Sequence, residues 1–173
     1  DIVRYTPTLL GAVTAGSFSF YFDGSDVGLD TTSEDIDAIT LTSDGRLVVS
    51  TKTNFSANGV SGLDEDLFIF TATTLGSVTA GSFAMYFDGS DVDLATNANE
   101  DIDAAGIRAN GGILLSTVGL FSVTGLSGAD EDAFDFTPTQ LGDTTSGTYR
   151  MILDLSTIGI DPIANIAAIE EVP

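Results

Sequence analysis

Chemistry in this chain has to come from carboxylates. Its 173 residues carry 26 Asp and Glu against 5 Lys and Arg, a formal net charge of -21, with no His and no Cys. Histidine-dependent triads, Cys nucleophiles, the usual zinc sites, thiolate-held iron–sulfur clusters and disulfides are therefore excluded. The scattered cations Arg4, Arg46, Lys52, Arg108 and Arg150 assemble no basic patch. A nucleic-acid backbone or an anionic membrane surface would repel the chain. Dense carboxylates can instead hold a hard divalent cation, because calcium takes roughly six to eight oxygens and needs no nitrogen or sulfur. Paired carboxylates can also act as acid and base on a glycoside. That enzyme reading lacks aromatic sugar platforms in the acidic loops, and the same acids recur in two copies where one catalytic centre would break the symmetry. The chain is expected to be non-enzymatic.

The acids recur because the sequence does. GSFSFYFDGSDVGL at 16–29 returns as GSFAMYFDGSDVDL at 81–94, a shift of 65 residues. EDIDA at 34–38 is matched by EDIDA at 100–104, and GLDEDLFIFTATTLG from Gly62 by GADEDAFDFTPTQLG from Gly128. A degenerate third copy of the first block starts at Gly147, where Asp88-Gly89-Ser90-Asp91 becomes Asp154-Leu155-Ser156-Thr157. The opening RYTPTLLG matches IFTATTLG from Ile69. The chain is thus about two and a half copies of one unit. It divides as one repeat-built domain over 1–173: a partial repeat 1–35, a repeat 36–101, a repeat 102–161 and a C-terminal segment 162–173.

The elements that position these acids read as strands. Hydrophobic residues make up 43% of the chain, too many for an acidic disordered tail. Each unit contains four short strands: Asp37 to Leu41, Arg46 to Thr51, Leu67 to Thr71, and Ser17 to Phe22 or Ser82 to Phe87. Ser43-Asp44-Gly45 and Asn110-Gly111-Gly112 are hairpin turn signals. Ile163 to Ile169 reads as one more first strand, with a helical turn as the alternative. The expected fold is all-β, four-stranded antiparallel repeats that are β-propeller-like, with a β-sandwich as the alternative. A propeller normally needs at least about four blades. The chain is then a fragment, half of a closed homodimer, or not built of blades.

An antiparallel meander brings the end of strand four and the starts of strands one and three to one pole. The acids collect there, while the turns TSDGR and TTLGSVTAG at the other pole carry almost none. One calcium site per unit is expected. Its ligands are drawn from Asp23, Asp26, Glu34, Asp35, Asp37, Asp64 and Asp66 in the first copy, and from Asp88, Asp91, Glu100, Asp101, Asp103, Asp130 and Asp132 in the second. Strand alternation favours Asp35 with Asp37, and Asp64 with Asp66, as pairs. Asp26 and Asp91 are alternatively caps of their own turns. A solvated acidic face is the alternative to calcium.

YFDGSDVGL, EDIDA, SDGRLVVST or GGILLST, GLDEDLF and FTPTQLG together resemble a tandem β-repeat of secreted and surface proteins of environmental bacteria. The resemblance implies a secreted or cell-surface location. With the acids, it points to a calcium-binding structural or adhesive module whose partners are its own copies, a larger parent protein or a surface polymer. The main rival is a ligand- or glycan-binding propeller with a pocket near the ring axis. The start at Asp1 suggests a processed or trimmed product, and the closing EEVP resembles the lead-in to a sorting or anchor segment.

Overall fold

A computed structural model describes residues 1–95, 97–161 and 163–171. Val172 and Pro173 of the closing EEVP lie outside the described residues. The fold is all-β, as expected. Strands β1 (Ile2–Leu9) and β2 (Ala15–Phe22) pair as an antiparallel hairpin. Strands β3 (Ile36–Leu41), β4 (Leu47–Thr51), β7 (Leu67–Thr74) and β8 (Ala80–Phe87) form an antiparallel sheet in that order. Strands β9 (Ile102–Ile107), β10 (Ile113–Thr117), β13 (Ala133–Gln140) and β14 (Ser146–Leu153) repeat it. The chain is therefore a half unit and two full units, and β1–β2 corresponds to β7–β8 and β13–β14.

Each full unit also contains a small hairpin that the strand pattern did not predict. It is β5 (Phe55–Ala57) with β6 (Val60–Gly62) in the first full unit, and β11 (Phe121–Val123) with β12 (Leu126–Gly128) in the second. Three-residue strands are too short to show a period. The turn signal was nonetheless present. Asn58 and Gly59 sit at φ 51° and 86°, the left-handed pair that a tight hairpin turn requires. Another recurrent glycine has a different cause. A Cβ at Gly16, Gly81 or Gly147 would lie 2.4, 2.4 or 2.5 Å from the carbonyl oxygen of Thr6, Thr71 or Thr137. Only glycine permits the third and fourth strands to approach so closely.

The core lies between units rather than within them. Alternation along β7 sends Phe68 and Phe70 to one side and Leu67 and Ile69 to the other. Phe68 and Phe70 join Phe22, Val27 and Leu29 of the half unit in one apolar cluster. Leu67 and Ile69 join Ile113, Leu115, Phe134 and Phe136 of the second full unit in another. The middle sheet is thus covered on both faces, which is why β4 and β7 begin as unbroken apolar runs. Among the described residues the stacked sheets form no closed ring or barrel. The propeller-like closure is not observed, and the face-to-face burial agrees with the sandwich alternative.

The segment 163–171 has no ladder partner, but it occupies the place of a next first strand. Ile166 N donates to Asp130 O at 3.1 Å, as Ile102 N donates to Asp64 O at 3.1 Å one unit earlier. Gly106 lets it come close, since a Cβ there would lie 2.9 Å from Ile169 O. Phe55 and Phe68 stack at 3.8 Å and pin the small hairpin to the sheet. Phe68→Ala should cost about 3–5 kcal/mol of unfolding free energy, read as a lower urea midpoint, because both rings are fully buried.

Candidate functional site

The carboxylates act mainly at the junctions between units. Asp26 Oδ2 accepts the Thr79 N–H at 2.8 Å, and Thr79 Oγ1 accepts the Asp23 N–H at 2.9 Å. The next junction repeats this, with Thr145 N donating to Asp91 Oδ2 at 2.8 Å and Asp88 N donating to Thr145 Oγ1 at 2.9 Å. Gly76 N and Gly142 N add bonds of 3.0 Å each to the carbonyls of Tyr21 and Tyr86. The Asp-Gly-Ser-Asp loop of one unit is therefore clasped by the β-turn of the following unit.

This corrects two expectations. Asp26 and Asp91 direct a carboxylate oxygen to the next unit's Thr N–H, rather than serving only their own turns. The acid-poor turn also meets the acid-rich loop, because successive units contact through opposite ends. Within one unit the expected shared pole does hold. Asp66 Oδ1 accepts the Gly89 N–H at 2.9 Å, and Asp1 Oδ1 accepts the Gly24 N–H at 2.9 Å. Thr79 and Thr145 were missed as functional residues. Their signal was the Gly-x-x-Thr that recurs at Gly11–Thr14, Gly76–Thr79 and Gly142–Thr145.

Other predicted ligands hold backbone. Glu34 Oε2 accepts from Thr31 N at 3.2 Å and from Thr31 Oγ1 at 2.9 Å. Glu100 accepts from Asn97 N at 3.1 Å and from Ser122 N at 2.9 Å, anchoring the β11–β12 hairpin. Asp132 Oδ2 accepts the Ala129 N–H at 3.0 Å. Asp88 Oδ1 binds Ser90 Oγ at 2.7 Å, and Asp23 Oδ1 does the same with Ser25 Oγ at 2.7 Å. Asp35 is exposed, and its backbone carbonyl accepts the Lys52 N–H. Many acids are buried, including Glu34, Glu65, Asp66, Glu100, Asp101, Asp103, Glu131 and Asp132, so they are not part of a solvated face.

One group is only partly held, with Asp37 Oδ1 accepting the Ala38 N–H at 3.0 Å. Asp37 on β3 and Asp101, just before β9, lie within hydrogen-bonding reach of each other, with Asp64 and Asp103 nearby. Asp101 is only 8% exposed. Asp101 Oδ1 and Asp37 Oδ2 are buried without a hydrogen-bond partner. Burial, and then the negative charges of Asp37 and Asp64, push the Asp101 carboxyl up to about 8. Burial is also the main cause for Asp37, raised to about 6. Glu65 rises to about 8 through burial and its contact with Asp64, and Asp66 to about 6 through burial.

The equivalent place at the next seam is filled differently. There Asn165 takes the position of Asp101, and its Nδ2 donates to Asp103 Oδ2 at 2.6 Å. Asp130 provides the neighbouring charge in place of Asp64. Among the described residues no group of three or more acidic side chains is arranged to hold a metal ion by itself. An ion at the Asp37–Asp101 seam would thus have two carboxylates and complete its shell with carbonyls and water. No family model, no curated protein and no solved structure matches the chain.

Two outcomes follow from this geometry. Thr79→Val keeps the shape but removes the hydroxyl that Asp23 N and Gly76 O use. It should lower the unfolding free energy by about 1–3 kcal/mol in urea, since a buried N–H loses its acceptor. The second concerns pH. A carboxyl whose folded pKa lies above its unfolded value favours the protonated state, so its stabilising share is complete below about pH 4. That share is lost as pH rises through about 6 for Asp37 and about 8 for Asp101. Metal-free protein should melt at a lower temperature at pH 8 than at pH 5. Asp101→Asn should reduce that difference by supplying the amide donor that Asn165 supplies at the other seam.

Proposed function

We propose that the chain is a non-enzymatic, extracellular calcium-binding structural or adhesive module built from a β-repeat. The observation that carries the reading is the Asp37–Asp101 pair at a seam between units, in which Asp37 Oδ2 and Asp101 Oδ1 are buried with no hydrogen-bond partner among the described residues. Two carboxylates in contact need either a shared proton or a cation. Calcium suits this oxygen set, and two ligating carboxylates fit the weak class of extracellular sites, at about 0.1–1 mM. Bound there, the ion would tie β3 to β9 and lock one unit onto the next. Asp26, Glu34, Asp66, Asp91, Glu100 and Asp132 are engaged with backbone N–H groups, which favours a structural role over acid–base catalysis.

Partners on this reading are other copies of the unit, a larger parent protein or a surface polymer, in a secreted or cell-surface setting. The excess of negative charge makes nucleic acid a poor partner. Among the described residues no helix is long and apolar enough to cross a membrane.

The test is thermal unfolding of metal-stripped protein during a calcium titration at pH 8 and at pH 5. At a calcium concentration near one hundred times the dissociation constant, the gain should be about 2.7 kcal/mol. For a chain of this size that is a rise of roughly 5–10 °C. The rise should be smaller at pH 5, where protons compete, and absent in Asp101→Asn. A wild-type melting temperature that ignores millimolar calcium at pH 8 would leave the pair sharing a proton and refute the calcium reading.

A further inference from the structure

The two flanks of the stack differ. On the C-terminal flank, Asp135 stands where the first full unit has Ile69, and Arg108 and Arg150 stand in the places of Thr42 and Ala84. Phe134 and Phe136 face the preceding unit, so alternation turns Asp135 outward. Asp135 meets Arg108 at 3.2 Å and Arg150 at 3.3 Å, and Arg108 also pairs with Glu171 at 2.7 Å. Thr157 replaces the clasping carboxylate of Asp91. This flank is ionic and has lost the junction acid.

The N-terminal flank is the opposite. Phe18 and Val3 are 74% and 57% exposed, while their equivalents Phe83 and Phe68 are 6% and 0% exposed beneath the half unit. Ile39 and Leu41 on β3 line an open groove of about 450 Å³ with Ile2, Tyr21, Thr40 and Leu47, and Glu170 of the C-terminal segment stands at it. That groove lies where a half unit lacking its first two strands leaves the middle sheet bare. The clasp is present as well. Thr14 Oγ1 donates to Gly11 O at 3.0 Å, as Thr79 and Thr145 do to Gly76 and Gly142 at 2.9 and 3.0 Å. Among the described residues no carboxylate reaches the Thr14 N–H.

We propose that the N-terminal flank is a docking seat for one further unit of this repeat, of the kind that retains Asp-Gly-Ser-Asp, and that the C-terminal flank is a polar cap. This rests on the structural-module reading and names the partner. The molecule shows twice what covers such a face. At each junction the preceding unit supplies an apolar strand end, Phe22 or Phe87, and a loop carboxylate, Asp26 or Asp91, for the Thr N–H. The added repeat length would end in the two strands that the half unit lacks, which would complete its sheet beside β1 and fill the β3 groove. The further unit's fourth strand would cover Val3 and Phe18, and its loop Asp would accept from Thr14. A second copy of this chain offers its ionic cap instead, with Thr157 in place of the clasping acid, so it does not suit the seat.

The repeat supplies its own probe. Asp1 is equivalent to Asp66, so fusing a second copy of residues 1–65 directly ahead of Asp1 extends the stack by one unit in register. The extended chain should unfold in a single transition at a higher temperature than the native chain. It should also bind less of a dye that reports exposed apolar surface. Asp26→Ala in the added copy should withdraw part of the gain. An added segment that melts separately, or leaves the transition unmoved, would overturn the proposal. Phe18→Ser in the native chain decides the matter even if the extension folds poorly. It should leave the melting temperature nearly unchanged, whereas Phe83→Ser should lower it strongly. Equal losses would show that the flank is already occupied and refute the vacant seat. Both arms are run in calcium and in chelator. Indifference to calcium counts against the calcium reading alone, and failure to dock counts against this proposal alone.

Discussion

A sheet with two apolar faces must have both covered, and the rest of this molecule depends on that requirement. The middle sheet puts Phe68 and Phe70 against the half unit, and Leu67 and Ile69 against the last unit. Burial of side chains of this size is worth on the order of 1.5–3 kcal/mol each. Both apolar clusters draw side chains from two units, so neither is complete within one. Each unit therefore folds against its neighbours, and stability should accumulate junction by junction.

Stacking on apolar faces fixes neither register nor spacing. The polar groups at the rim supply both. Thr79 and Thr145 each join the preceding Asp-Gly-Ser-Asp loop by two hydrogen bonds, one in each direction. A neutral N–H meeting a carboxylate is a strong, short-range and directional contact. It holds each unit at one position on its neighbour, which a greasy surface alone cannot do.

The same arrangement explains how a chain of such negative charge stays folded. Most buried acids are offset by backbone N–H groups rather than by cations. Two places differ, Asp37 with Asp101 and Glu65 with Asp64, where carboxylates meet each other. At the following seam Asn165 stands in place of one carboxylate, and its amide donates to Asp103 Oδ2. The last unit departs from the pattern in three other ways, with Asp135, Arg150 and Thr157. Asp135 is buried beneath Arg108 and Arg150, so this flank presents arginines where the first full unit presents Ile69 to its neighbour.

The sequence by itself determined the duplication, the four strands of each unit and the all-β class, because those depend on local period, turn residues and self-similarity. It also marked Asp66, Glu34, Glu100 and the Asp-Gly-Ser-Asp loops as positions that matter. The β5–β6 hairpin was legible only through Asn58-Gly59, since three residues are too few to show alternation. Tertiary structure alone decided what each acid does. Asp26 and Thr79 are 53 residues apart and meet only because opposite ends of successive units come together. Asp101 and Asn165 are equivalent in sequence, yet one confronts a carboxylate and the other relieves one. Burial, too, is a property of the stack: Phe18 and Phe83 share a motif, and only the neighbouring unit separates an exposed ring from a buried one.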